Sequence, residues 1–207
     1  MFGNVTTFEF AVLIISLLIS VSIHEMMHAF VAYRLGDDLA HSHGRISLNP
    51  IRHIDPVLTI AVPAVMMLLG MAPILAAKPV PINTNRISGD EMGLAAVGVA
   101  GPLTNLALAT VAALVFNSFD LSGNVAVALV LFIQLNVALF VFNMIPLPPL
   151  DGSRLLYAFA PSSVQRVMER IEAMGIIVII MLLVFLLPVL SPVLLDANNF
   201  ILNFLAN

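Results

Sequence analysis

Residues 8–35 read FEFAVLIISLLISVSIHEMMHAFVAYRL. About 20 mostly apolar residues suffice to cross the hydrocarbon core of a bilayer as a helix, and this run exceeds that length. Its second half nevertheless carries two histidines and a glutamate. Ionisable groups inside a membrane helix are costly and point to function by default. One stretch therefore predicts both a spanning helix and a site built into it.

The rest of the chain agrees with the first inference. Apolar residues make up 60% of the 207 positions and charged residues 10%, against roughly 45–50% and ~25% in soluble domains. A water-soluble fold of this size could not hide so much hydrocarbon. Eight Lys+Arg against twelve Asp+Glu argue against a nucleic-acid binder, and the hydrophobicity against a disordered chain. The absence of cysteine excludes a disulfide scaffold, a thiolate metal site and a cysteine nucleophile.

Three further runs have spanning length: Met92–Phe116, Val125–Ile145 and Ala173–Leu190. A fifth, Val57–Ala77, is interrupted by Pro63 and Pro73. The end of the chain, Asp196–Asn207, alternates apolar and polar residues like a short interfacial helix. The first run lacks a basic leader and continues into His24, Glu25 and His28, so it is not a cleavable signal peptide.

All basic residues follow the first run, the broken segment or the fourth run, and the loop around Asp120 has none. If Val57–Ala77 re-enters rather than crosses, every base falls on one side, which the positive-inside rule makes cytoplasmic. A full crossing would instead give five spans. The expectation is an all-α membrane protein: a bundle of four to five spanning helices with a re-entrant segment, both termini outside and no nucleic-acid partner. One integral-membrane domain would fill 1–207, with a core over about 8–160 and C-terminal helices over 161–207.

Small residues crowd the third run, from Gly93 to Gly101, and would let helix backbones approach closely. The proline-interrupted segment Lys78–Ile82 suits an edge strand that could hold a substrate strand, or else a plain connection.

His24 and His28 stand four residues apart, so both side chains leave the helix on one face, with Glu25 beside the first. Paired imidazoles suit zinc, and the carboxylate suits a general base acting on water that the metal activates. His28 lies about 9 Å before Arg34 along the helix, and His24 about 15 Å, below the cytoplasmic surface but within reach of water. A hydrolytic zinc has three protein ligands and an open position. Position 34 is Arg, so no third histidine follows at short spacing. The best candidate is Asp151, where Pro146, Pro148 and Pro149 unwind the fourth helix and Gly152 permits a turn. Broken backbone at membrane depth belongs where protein or a wet cavity receives it.

With these residues in place, the sequence resembles the site-2 protease family of intramembrane zinc metalloproteases. The His24-Glu25-x-x-His28 helix, Asn143-x-x-Pro146-x-x-x-Leu150-Asp151-Gly152 and Gly101-Pro102-Leu103-Thr104-Asn105 occur in the family's order. Arg45–Pro56 and Lys78-Pro79-Val80-Pro81 are similar to its compact prokaryotic branch, which has no PDZ or CBS domain. The resemblance covers about residues 8–190. It implies His24, His28 and Asp151 as ligands of one Zn2+, Glu25 as catalytic acid/base, and Asn143 as a substrate-backbone contact. It also implies a membrane-protein or peptide substrate within the lipid bilayer, and a prokaryotic plasma-membrane location.

His41 and His43 lie in a polar loop and read as solvated; His53 reads as a structural hydrogen bond and Asn105 as a bridge between helices. The rival function is a non-catalytic membrane zinc carrier or sensor. Glu25 separates the two, because a carrier needs ligands rather than a base beside them.

Overall fold

The computed structural model describes residues 5–55 and 78–206, and among these every regular element is helical. The helices are α1 (Thr7–Arg34), α2 (Leu39–Ser42), α3 (Asp90–Ser118), α4 (Gly123–Asn143), α5 (Gly152–Phe159), α6 (Ser162–Ala173) and α7 (Ile176–Leu205). Among the described residues, four helices are long and apolar enough to cross a membrane: α1, α3, α4 and the Val184–Leu205 part of α7. The all-α class and the first three spans match the sequence expectation.

The fourth span differs. α7 runs through Pro188 and Pro192 without a break and absorbs the stretch expected to form a separate interfacial helix. Pro192 has no N–H to offer the Pro188 carbonyl, and Ser191 Oγ donates to that carbonyl instead at 3.1 Å; membrane helices tolerate proline where such groups re-satisfy the freed carbonyls. The expected re-entrant segment Val57–Ala77 lies outside the described residues. Lys78–Ile82 forms no strand and acts as a connection.

α1 begins with a reciprocal cap: the Thr6 hydroxyl accepts from the Glu9 amide, and the Glu9 carboxylate accepts from the Thr6 amide. Further along, Ser16, Ser20, His24, His28 and Ala32 are all buried at four-residue intervals, so one stripe of α1 faces protein. It meets the small residues of α3 in antiparallel register. Ala32 packs with Val97, His28 lies against Gly101 and His24 against Asn105. Each step of four down α1 is matched by four up α3.

The ends are stapled on one side. Ser88 N donates to Leu35 O at 2.8 Å and Asn83 N to the buried Asp37 carboxylate at 2.6 Å. Asp38 pairs with Arg86. Gly36, at φ +105°, allows the turn that makes this possible. The C-terminal end of α1 and the N-terminal end of α3 therefore lie together. α4 returns to that end, where α5 and α6 are cross-linked by Tyr157–Glu169 and Arg154–Glu172. α7 packs Leu194, Ile201 and Leu205 onto the Ala109–Val137 core between α3 and α4.

Candidate metal centre

The site forms where α1, α3 and the loop ahead of α5 converge. His24 and His28 are both buried, and their Nε2 atoms face each other at 3.0 Å. Asp151 Oδ2 stands 3.1 Å from the first and 3.3 Å from the second. Sequence separation plays no part in this meeting: successive turns from Met144 to Leu150 fold the chain after α4 back on itself. Gly152 allows the fold, because a Cβ there would strike the backbone of Met144 and Ile145.

Clearance on the opposite wall comes from two glycines of α3. A Cβ at Gly101 would meet His28 Nε2 and come within 2.6 Å of the His24 ring. A Cβ at Gly98 would lie 3.0 Å from the Asp151 carbonyl oxygen and 2.6 Å from Arg154 Cβ. The small-residue stretch of α3 thus serves close packing and also forms a wall of the site.

The protons can be assigned from the partners. His28 Nδ1 lies 2.7 Å from Val97 O; a carbonyl only accepts, so Nδ1 carries the proton. His24 Nδ1 lies 2.6 Å from Asn105 Oδ1, with the same consequence. Both Nε2 atoms then present lone pairs to each other and to a carboxylate oxygen that is buried without a hydrogen-bond donor. Three buried lone pairs converging within 4.8 Å repel unless a cation sits among them. Two imidazoles and one carboxylate are a donor set that zinc accepts, so these residues fit the metal.

Glu25, half-buried, lies within electrostatic reach of His24, His28 and Asp151. Asn143 ends α4 and donates to Leu139 O of its own helix at 2.9 Å; it is not among the three converging groups. His41 stacks near Tyr33 and His43 bonds Leu39 O, both exposed. His53 is buried and bonds Ser47 O at 2.7 Å. Among the described residues, His24, His28 and Asp151 form the cluster close enough to hold a metal.

Two features escaped sequence reasoning. Asn136 joins Asn105 behind His24; its signal is one of three amides, with Gln134 and Asn143, in the otherwise apolar run Val125–Ile145. Arg45, buried, donates to the carbonyls of Arg52, Lys78 and Pro79. An arginine in a polar loop gives no hint of that.

The chain matches Peptidase family M50 over residues 117–187. It is 37% identical over 181 residues to the protein named "Putative zinc metalloprotease YwhC" of Bacillus subtilis, covering 83% of this chain and 80% of that one. It is 31% identical over 186 residues to "Putative zinc metalloprotease Rip2" of Mycobacterium tuberculosis, covering 88% and 69%. Identity to "Zinc metalloprotease MJ0392" of Methanocaldococcus jannaschii is 29% over 148 residues, or 72% and 34% of the two chains. No solved structure matches.

Proposed function

The chain belongs to peptidase family M50, and from that premise we propose that it cleaves peptide bonds in or near transmembrane segments of other membrane proteins. It is a multi-pass membrane zinc metalloendopeptidase of the site-2 protease type. The observation that carries the finer reading is the meeting of three buried lone pairs below the basic end of the bundle, with Glu25 beside them.

In this reading His24, His28 and Asp151 hold the ion. Zinc, when bound, supplies the Lewis acidity that acidifies water and polarises a carbonyl. Glu25 takes the proton of the attacking water and later delivers it to the leaving nitrogen as the C–N bond breaks. Asn143 keeps one N–H beyond the bond to Leu139 and offers it to the substrate carbonyl oxygen as charge develops there. Buried walls keep bulk water out and strengthen each of these interactions.

A helical substrate hides its carbonyls in its own hydrogen bonds, so it must unwind locally. Membrane segments rich in helix-breaking residues are the matching substrate class. The eight basic residues lie at the end of the bundle where α1 finishes and α3 begins. The positive-inside rule makes that end cytoplasmic and both termini external, and the relatives favour a prokaryotic plasma membrane. The whole of 1–207 then acts as one protease domain.

Purified protein incubated with a panel of membrane-segment fusions tests the reading. Cleavage within or beside the segment, absent with Glu25→Gln, supports it. A protein that binds zinc yet cleaves no fusion would favour the carrier or sensor alternative.

A further inference from the structure

Behind His24 lies a chain of hydrogen bonds that fixes its own direction. In α4, Asn136 Nδ2 donates to Phe132 O at 2.9 Å. A carbonyl cannot donate, so Asn136 must present Oδ1 at its other end. That oxygen accepts from Asn105 Nδ2 at 3.0 Å. Asn105 must then turn its own Oδ1 toward α1, where His24 Nδ1 lies 2.6 Å away. Asn105 and Asn136 are both fully buried, so water is not at hand to exchange these roles.

We propose that Asn105 and Asn136 are positioning residues that lock His24 in the Nδ1–H tautomer and so aim a bare Nε2 at the metal. The order is imposed from the Phe132 carbonyl, three bonds away, and passes through α4 and α3 to α1. His28 reaches the same state by a shorter route, donating directly to the Val97 carbonyl. The two ligands therefore differ in kind: one is oriented by backbone, which substitution cannot delete, and the other by an amide that could flip if nothing held it. A ring N–H partner that fixes a metal-bound histidine typically contributes 10–100-fold to metal affinity. A neutral amide supports the imidazole less than a carboxylate would, because it adds no negative charge.

This inference rests on the metal-centre reading above, and one titration separates their failures. Detergent-purified protein is stripped of metal and titrated with Co2+, reading the visible d–d band and the dissociation constant; melting of the metal-free forms is followed in parallel. Wild type should bind and His24→Ala should not. Asn105→Leu should bind about 10–100-fold more weakly with an altered band. Asn105→Asp should bind at least as tightly as wild type, although its metal-free form melts lower, because a carboxylate accepts from Nδ1–H. Asn136→Leu should fall in between, since Asn105 is then free to flip.

A purely structural bridge makes a different forecast: Asn105→Asp, a buried charge, would be as damaging as Asn105→Leu. That result, or wild-type affinity and band in Asn105→Leu, overturns the relay alone. Should Asn105→Leu fail to fold, Asn105→Asp decides: binding weaker than wild type overturns the relay, and affinity at least equal to wild type supports it. If wild type binds no Co2+, or binds it independently of His24, the relay and the metal centre fall together.

Discussion

The backbone amide of Lys78 donates to the carbonyl of His53 across 2.8 Å. Arg45 reinforces this junction from below, donating to the carbonyls of Arg52, Lys78 and Pro79. Two points 25 residues apart in sequence therefore share one location, and they must share one side of the membrane.

That junction decides a labelling experiment. Single cysteines placed in this cysteine-free chain near Ser47, Asn85 and Gln165 should all react with a membrane-impermeant reagent from the same face. One near Asp120 should react from the opposite face. Labelling of positions 47 and 85 from different sides would contradict the stapled ends.

Gly101 is the second test, because it concerns space rather than chemistry. Gly101→Ala places a methyl group against both imidazole rings. Overpacking of this kind costs about 1–3 kcal/mol, and here relief requires the ligands themselves to move. Zinc affinity should fall by about tenfold or more along with the melting temperature. Gly123→Ala, whose Cβ would meet nothing, serves as the control and should keep full affinity, although its positive φ carries its own small strain.

Asn143 poses a question about role. If its free N–H meets the substrate oxygen, Asn143→Ala should keep fold and zinc while turnover drops on the order of 10²–10³-fold, as for loss of one oxyanion donor. Asn143→Asp should do no better, since a carboxylate repels the developing charge. Zinc content, melting temperature and cleavage rate are measured on one preparation. A stable, zinc-loaded Asn143→Ala cleaving at the wild-type rate would remove the residue from the site.

How much of the molecule is legible in its sequence follows from the range of each interaction. His24, Glu25 and His28 belong to one helix, and helical periodicity alone aligns the two histidines. Asp151 could be nominated because Pro146 to Gly152 break the helix pattern at a place that must be buried. The relay could not be read: Asn105 and Asn136 sit on different helices, and only the register of α3 against α4 pairs them. The end of α7 misled for a related reason. Pro188 and Pro192 would end a helix by the rule for soluble proteins, but a membrane helix keeps its prolines where other groups take up the freed carbonyls, as Ser191 does for Pro188, so that rule cut the span short. Arg45 was opaque because its partners are backbone carbonyls, which every residue possesses.

The central claim is that His24, His28 and Asp151 hold the zinc while Glu25 moves protons beside it. Metal analysis of detergent-purified wild type and four variants tests this most directly. Wild type and Glu25→Gln should each carry about one zinc per chain, and Glu25→Gln should be inactive. His24→Ala, His28→Ala and Asp151→Ala should each lose the metal. Full zinc occupancy in Asp151→Ala, or loss of zinc in Glu25→Gln, would contradict the assignment.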